Sequence, residues 1–424
     1  MIAGTCFIIA WQQAGRVPPP TWSATKSWIA SAQCAKALGI PLIGCEGGKI
    51  VPFADISAAD DPGHAFFLSL YAIVTRADVH ATDVARMNTI VNYVGIAIVV
   101  CLLLQMRLWL AGMIAMALLA VYAAKFIGTA AHPAQIGGAL LSATLPLVLL
   151  GMPALHQRRL VYATWLAIGS AALAAACLLR QSIGMMGVVA ACLAVGVLAW
   201  RTRGRVLASG HLALAIGAVA ISAMTPKIIL RLRDAIWNVP ATTQIETHGV
   251  WHNVFLGLGV VENPFGIRWD DLFAYDIARA THPTVRYVSE QYYEILRDKY
   301  FELVMSHPVE VLEIYLRKLA MALNARPPLP LPPVPLWVTL LLLLIGVVAC
   351  RRMLSKPAWI VLAICAVFSG LFLVQGAIVH PAVEYLFPIG AFLILACACL
   401  VAALVEALVT SHNSSNVEGG AHSN

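Results

Sequence analysis

Charged residues are scarce in this sequence: they make up 12% of the 424 residues, whereas hydrophobic residues make up 60%. That balance excludes an ordinary soluble domain, and repeated apolar runs of about 18 residues or more indicate membrane-spanning helices. The sequence also lacks a Cys-x-x-Cys pair, a P-loop, a dinucleotide-binding fingerprint and a clear internal repeat. It therefore predicts an all-α, polytopic membrane bundle and gives no sign of a nucleotide-binding domain or a cysteine metal site.

The apolar runs predict ten spanning helices, joined on the outer side by loops that contain helices of their own. The first span, residues 1–11, is interpreted as a signal anchor. Because it is short for a hydrocarbon core of about 30 Å, either the start codon is misplaced or the helix continues. A cleaved signal peptide is the competing interpretation, although no basic region precedes the apolar run. The other nine spans are expected at residues 89–106, 108–124, 136–152, 161–179, 182–200, 206–224, 336–350, 358–379 and 386–409.

Short basic loops at residues 156–159, 201–205 and 351–356 predict the orientation of the bundle. All three fall on one side, which the positive-inside rule makes cytoplasmic. They also supply part of the net charge of +7, so that charge is no evidence for nucleic acid, and no nucleic-acid partner is expected. We expect an integral protein of a bacterial inner (plasma) membrane, divided into an N-terminal membrane module with the first outer loop, a large extracytoplasmic loop, and C-terminal membrane helices with a cytoplasmic tail (residues 1–224, 225–335 and 336–424).

Ionisable residues are nearly absent from the central spans. Arg180 lies at a predicted outer helix boundary, and Arg107 lies at an inner one. Transporters and pumps carry ionisable groups at mid-membrane depth and helix breaks in matching halves, but here helix-breaking Gly/Pro pairs in matching halves are missing, apart from Pro146. A transport mechanism therefore has little chemistry available.

Two adjacent carboxylates, Asp60 and Asp61, precede Pro62 and Gly63 in the predicted first outer segment. Acids this close to a bilayer are costly unless they face water, a partner charge or a substrate. The Pro-Gly pair breaks the backbone, so the acids are expected on a turn. The alternative is a pair of solvated acids at the N-terminus of the next helix, where Asp is favoured. Short helices are expected on either side of this turn, at residues 23–38 and 65–75.

The same segment contains two cysteines, Cys34 and Cys45, whereas eight other cysteines lie in or beside predicted spans. A cysteine inside a span behaves as a small apolar residue. On the outer, oxidising face a disulfide between Cys34 and Cys45 is chemically allowed, and both the disulfide and two free thiols stay open at this point.

The large loop contains a His- and Trp-rich stretch that includes His248, Trp251, His252, Arg268 and Trp269. Two histidines four residues apart on one helical face, with Glu246 nearby, are compatible with a metal site, but the neighbouring glycines argue against a long helix. Sugar binding fits better, since Trp rings stack on pyranose faces while His, Asn and Asp bond hydroxyl groups.

Two scaffold helices are expected to follow in this loop. Ser289 is a candidate N-cap for a helix over residues 290–305, and Pro308 suits the first turn of a second helix that runs to about residue 323. The apolar positions Val309, Leu312, Leu316 and Leu319 predict that this second helix rests on the membrane or on the spanning bundle.

Three motifs resemble the GT-C class of membrane glycosyltransferases, which use polyprenyl-phosphate-linked sugars. Asp60-Asp61-Pro62-Gly63-His64 resembles the acidic first outer loop of that class, and Ala85-Arg86-Met87-Asn88 is similar to the start of its next span. The stretch from His380 to Pro388 resembles the turn before its late spans. The departures are a brief first span, a long insertion before the acids, and Glu384 where a basic residue is usual.

The resemblance implies an inverting sugar transfer, with Asp60 or Asp61 as the general base.

 The leaving group is a lipid phosphate, which needs positive charge or a divalent metal to hold the departing oxyanion. Four residues at predicted outer helix ends lie where a lipid phosphate would sit, namely Arg86, Lys125, His132 and Arg180. Ordinary snorkelling to the interface is the alternative for each of them. The expected substrate-binding set is completed by His64, His248, Trp251, His252, Arg268, His380 and Glu384, and the expected partners are a polyprenyl-phosphate-linked sugar, a glycan, lipid or protein acceptor, and membrane lipid.

The main alternative is a lipid-linked oligosaccharide ligase or polymerase of the O-antigen type. Such enzymes also pair many spans with one large outer loop, and Arg180-Gln181-Ser182 resembles their loop-flanking arginine. They do not need the Asp60-Asp61 turn, so substitution of the acids separates the two hypotheses. A non-enzymatic scaffold or a transporter is the third possibility.

Overall fold

The computed structural model describes residues 24–46, 49–51, 62–127, 135–152, 159–201, 207–239, 249–326 and 334–420. The described N-terminal half contains a two-stranded sheet and eight helices. These are α1 (Ala24–Leu38), β1 (Gly44–Glu46), β2 (Lys49–Val51), α2 (Pro62–Thr75), α3 (Ala81–Gln105), α4 (Trp109–Ile127), α5 (Gln135–Gly151), α6 (Arg159–Leu179), α7 (Gln181–Arg201) and α8 (Leu207–Trp237).

The described C-terminal half is helical. Four shorter helices form a layer of their own: α9 (Val250–Gly257), α10 (Asp271–Thr281), α11 (Glu290–Ser306) and α12 (Pro308–Asn324). Three apolar helices follow: α13 (Leu336–Cys350), α14 (Lys356–Ile378) and α15 (Val383–Gly420). The one departure from an all-α chain in the described ranges is the antiparallel pair β1–β2, in which Cys45 lies opposite Ile50.

Six of the described helices are long and apolar enough to cross a membrane, namely α3, α6, α7, α8, α14 and α15. Four more are apolar but shorter: α2, α4, α5 and α13. The prediction of a helical membrane protein is therefore confirmed. The count of ten spans stays a prediction, since residues 1–11 lie outside the described residues.

Helix α5 is the centre of the bundle. Its described side chains are buried along almost the whole helix, and α3, α6, α7, α14 and α15 pack around it. Its crossing with α3 is close because glycines face each other there: a Cβ on Gly137 would lie 2.5 Å from the carbonyl oxygen of Val91, and a Cβ on Gly95 would lie 2.8 Å from that of Gly137. The side chain of Asn92 accepts a hydrogen bond of 2.7 Å from the Gly137 amide, which fixes the register of the two helices.

The helix ends that were predicted to face outward meet at one end of the bundle. The N-terminus of α2 packs on the last turn of α6, where a Cβ on Gly63 would lie 2.6 Å from the carbonyl carbon of Leu178. The hydroxyl of Tyr122, near the end of α4, donates to the carbonyl of Phe387 in the first turns of α15 at 2.9 Å. The choice of which end faces the cytoplasm stays a prediction.

Two predicted helix boundaries are wrong. Helix α3 begins at Ala81 instead of residue 89, because the Asp83 carboxylate accepts a hydrogen bond from the backbone N–H of His80 at 2.9 Å and starts the helix there. Helix α8 continues past Pro226 to Trp237, so the large loop begins later than residue 225. The extension is stabilised by burial of Leu230 among residues of α1 and α2, and by Arg233, whose guanidinium donates to the carbonyl of Leu42.

The predicted tail is also different, since α15 runs on to Gly420. In contrast, the predicted short helix after residue 23 is confirmed as α1, and the helix expected at 65–75 begins slightly earlier, at Pro62. Cys34 of α1 and Cys45 of β1 form a disulfide with a Cα–Cα distance of 6.1 Å, so of the two states left open by the sequence the structure shows the bonded one.

Helices α9 to α12 form an outer layer with an aromatic core of their own, centred on Tyr292, Leu296 and Phe255. The two helices predicted here are confirmed almost to the residue. The Ser289 hydroxyl accepts a hydrogen bond from the backbone N–H of Tyr292 at 3.2 Å and caps α11, and Pro308 lies in the first turn of α12.

The apolar side of α12 does not rest on the spanning bundle, which was one of its two predicted supports. Val309, Leu312 and Leu316 are exposed, whereas Val311 and Lys318 on the other side of the helix are buried. The helix is amphipathic as expected, but its packed side is the one that carries the lysine.

Candidate functional site

An apolar groove of about 550 Å³ lies between α2, α3, α5 and α6. It opens to the outside of the bundle, since Phe67, Tyr71 and Val94 on its border are exposed. Its charged lining groups, Asp83 and Arg86, lie near the outer end of α3, whereas Ile98 lies twelve residues beyond Arg86 on the same helix. At 1.5 Å per residue the groove follows α3 for about 18 Å, which is close to half of a hydrocarbon core of about 30 Å. Its dimensions and lining therefore suit an acyl or isoprenoid chain.

Arg86 is positioned at the outer end of this groove by the start of α3. Its Nη1 lies 3.0 Å from Oδ1 of Asp83, which is held in turn by the His80 backbone N–H. A guanidinium carries five N–H donors, and the side chain of Arg86 is partly exposed. The group can therefore bind a phosphate oxygen at the groove mouth while it stays paired with Asp83.

His64 lies in the first turn of α2 and is fully buried. Its ring stacks on Trp28 with a centroid distance of 4.1 Å, and its Nε2 lies 2.9 Å from Oδ1 of Asn88. Burial lowers the pKa of His64 to about 4, the hydrogen bond to Asn88 opposes that shift, and the charge of Arg180 adds to it. The ring is therefore neutral at physiological pH, and what it does in this position is to join α2 to α1 and α3.

Arg180, Tyr385, His380 and Trp269 form a row of contacts across the outer end of the bundle. The guanidinium carbon of Arg180, between α6 and α7, lies 5.9 Å from the ring centroid of Tyr385. The His380 ring lies 6.1 Å from that of Tyr385 and 4.9 Å from that of Trp269. Burial lowers the pKa of His380, and the nearby charge of Lys318 lowers it further. The row brings together the α6–α7 turn, the α14–α15 turn and the outer layer. The sequence did not predict these contacts.

Trp251 and His252 lie inside the outer layer. His252 is buried, and its two ring nitrogens lie 2.6 Å from the Tyr292 hydroxyl and 3.1 Å from Oδ1 of Asp271. The Trp251 ring packs against Phe301 at 5.4 Å. These contacts give both residues a place in the folded layer, whereas Arg268, which was expected to share their role, is exposed.

The idea of two histidines on one helical face does not hold, because α9 begins only at Val250 with Gly249 as its N-cap. His248 precedes that helix and lies outside the described residues, as do Asp60, Asp61 and His132. Lys125 and Glu384 lie in α4 and α15, and the structure does not describe their side chains. Within the described part of the chain, no group of three His, Cys, Asp or Glu side chains is arranged to hold a metal ion.

Lys318 is a feature of the site region that sequence reasoning missed. The side chain is fully buried, and its Nζ donates to the carbonyls of Gly257, Ile378 and Val379 at 2.7, 2.8 and 2.9 Å. Burial lowers its pKa to about 7. The available signal was its position at helical spacing from Val311 and Ile314, which places a lysine on the packed side of an amphipathic helix.

Comparison of the chain with protein-family models, with curated proteins and with solved structures gave no match. The groove, its arginine and the row of contacts at the outer end are therefore the grounds for a functional proposal.

Proposed function

We propose that this chain is a membrane glycosyltransferase that moves a sugar from a polyprenyl-phosphate donor to an acceptor hydroxyl at the outer face of a membrane. The observation that supports this most is the groove between α2, α3, α5 and α6, with Arg86 at its outer end. An isoprenoid chain has the apolar surface that such a groove buries, and its phosphate has the charge that an arginine binds. The proposal includes the ten-span arrangement with basic loops on the cytoplasmic side.

In this proposal the donor chain lies along α3 and its phosphate lies at Arg86. Arg180 follows the last turn of α6, whose Leu179 also lines the groove, so a second cation is available at the same end. During transfer, the bond from the anomeric carbon to the phosphate oxygen breaks and the phosphate keeps the electron pair. Positive charge near that oxygen stabilises the developing charge.

The proposed general base is Asp60 or Asp61. Asp61 directly precedes Pro62 and Asp60 comes one residue earlier, and the turn of α2 that begins at Pro62 packs on Leu178, two residues before Arg180. The carboxylate takes the proton of the acceptor hydroxyl while its oxygen attacks the anomeric carbon, which inverts that centre. The acceptor is a glycan, a lipid or a protein, and a divalent metal is a further possible component of the proposal.

Donor binding tests the groove directly. The full-length protein in detergent micelles is titrated with polyprenyl phosphate, and bound lipid is counted by native mass spectrometry. Arg86→Gln should weaken binding by about 10- to 150-fold, which corresponds to the loss of about 1.5–3 kcal/mol from a charge-assisted hydrogen bond. Arg279→Gln in α10, an exposed arginine away from the groove, should leave binding unchanged.

A second pair of variants tests the chain-binding part of the groove. Ala171→Phe places a ring in the groove from an exposed position of α6 and should block the lipid, whereas Ala163→Phe, at an exposed position of the same helix outside the groove, should not. Unchanged binding in both Arg86→Gln and Ala171→Phe would show that this groove is not the donor site.

The alternative is a lipid-linked oligosaccharide ligase or polymerase, and one observation favours it: Arg180 lies in the row with Tyr385, His380 and Trp269, beyond the groove. Asp60→Asn and Asp61→Asn distinguish the two hypotheses. A transferase should lose about a hundredfold or more of its turnover in one of these variants while it still binds the donor. A ligase should be indifferent to both substitutions.

A further inference from the structure

Three apolar side chains form an exposed row on α12. Val309 is 72% exposed, and Leu312 and Leu316 are 56% exposed each. The steps between them are three and four residues, which is the spacing of one helical face. We call these three residues the α12 stripe. A contiguous exposed row of this kind indicates contact with an apolar partner.

The packed side of α12 shows where the stripe lies relative to the spanning helices. Lys318 donates to the last carbonyls of α14, and Ala322 lies against Gly376 in the last turn of α14. The amide of Leu336, the first residue of α13, donates to the carbonyl of Ala325 at 2.9 Å. The C-terminal end of α12 is therefore at the level where α13 and α14 reach the outer end of the bundle.

Exposed apolar surface also begins at once on α13. Trp337, Leu341 and Leu344 are exposed there, as expected for side chains that face lipid. The stripe thus lies on a helix that is joined to the lipid-facing surface of the spans. From this continuity we propose that the α12 stripe docks on the outer leaflet of the membrane, with its side chains among the headgroups and the upper acyl chains.

Charge indicates which lipids this surface needs. Between residues 290 and 324 there are six acidic and four basic side chains, so α11 and α12 together carry no excess of positive charge. Attraction to anionic lipid is therefore not the driving force, and a zwitterionic bilayer suffices. Docking would hold the outer layer at a fixed height, with Trp269 against His380 at the outer end of the bundle. This inference uses the packing of α12 and does not depend on the sugar-transfer proposal.

The test uses the full-length protein in nanodiscs of phosphatidylcholine. The photoreactive residue p-benzoylphenylalanine replaces Leu312 or Leu316, and after irradiation the mass of the protein is measured. Leu344 on α13 is the positive control for lipid contact, and Leu272 on α10, equally exposed but outside the stripe, is the negative control. The expected result is a one-lipid adduct at positions 312, 316 and 344, with at least a fivefold lower yield at 272.

Three results would overturn the proposal. Adducts at 344 without adducts at 312 and 316 would show that the stripe does not touch lipid. A covalent dimer at 312 or 316 would show that the stripe is an interface between two copies of this chain. Equal lipid yields at 272 and 312 would show that contact with lipid is not specific to the stripe. All four substituted positions are exposed, so the variants are expected to fold, and thermal melting of each one checks that expectation.

Discussion

Lys318 is the most informative residue to change, because it joins the outer layer to the membrane helices. Its ammonium group binds the carbonyl of Gly257 at the end of α9 and the carbonyls of Ile378 and Val379 at the end of α14. Both groups of acceptors lie at helix C-termini, where carbonyls have no partner within their own helix and a positive charge is favoured. The residue therefore caps two helices from a third.

Lys318→Met keeps most of the apolar stem and removes the three hydrogen bonds. While Lys318 is protonated, each bond to a charged donor contributes about 1.5–3 kcal/mol, but the wild-type protein then also bears a cost of several kcal/mol for removing the ammonium group from water. We expect a net loss of about 2–4 kcal/mol from these opposing effects. Lys299→Met is the matched control: the Lys299 side chain is partly exposed on α11 and paired with Glu302 at 2.9 Å, so its loss should change little.

The same contact predicts a dependence on pH. Burial lowers the pKa of Lys318 from 10.5 to about 7 in the folded protein. Between these two values the unfolded chain holds a proton that the folded chain has released, so stability rises with pH across this window. The slope is at most about 1.4 kcal/mol per pH unit for one group. His380, whose pKa lies below its usual range, is already neutral there and does not contribute.

The assay is thermal unfolding of the full-length protein in detergent micelles from pH 7 to pH 9.5. The difference between the wild-type Tm and that of Lys318→Met should increase with pH in favour of the wild type. Lys299→Met should show the same pH dependence as the wild type. Equal Tm values for wild type and Lys318→Met at every pH would refute the reasoning, because a buried lysine that releases its proton on folding has to make the difference in stability depend on pH.

Three further predictions concern the fold. A cysteine at Leu272 should react with a membrane-impermeant reagent in intact cells, whereas one at Met353, at the basic end of the bundle, should react only after permeabilisation; the reverse pattern would invert the proposed topology. Gly137→Leu should prevent accumulation of folded protein because of the close α3–α5 crossing, while Gly210→Leu, which has open space around it, should melt like the wild type. Replacing Cys34 and Cys45 by Ser should lower stability by about 3 kcal/mol, as expected for a closed loop of this length, and reductant should then have no further effect on the Tm.

Much of the helical framework could be predicted from local patterns. Apolar runs identified the regions of α3 to α8 and α13 to α15, and Ser289 and Pro308 identified the starts of α11 and α12, because caps and helical periodicity depend on neighbouring residues alone. The boundaries failed where long-range packing decides. Helix α8 continues through Pro226 since Leu230 and Arg233 find partners in α1, α2 and the loop after α1.

The candidate site was less accessible to sequence reasoning. Arg180 and His380 could be assigned to outer helix ends, yet nothing in the chain order indicated that Tyr385 lies between them. His64 was expected to bind substrate, and the structure shows a buried ring stacked on Trp28 and joined to Asn88. Pairings across 24 or more residues depend on how helices cross, which periodicity does not specify.

The sequence by itself determined that this chain is a helical membrane protein, because the length and the apolar character of each segment are local quantities that decide whether it can cross a bilayer. The tertiary structure alone decided that α2, α3, α5 and α6 enclose a groove, and that the buried side of α12 is the one that carries Lys318. The physical reason is that a groove is a property of the space between helices. It exists only after Gly95 and Gly137 have let α3 and α5 approach, and no single helix encodes it.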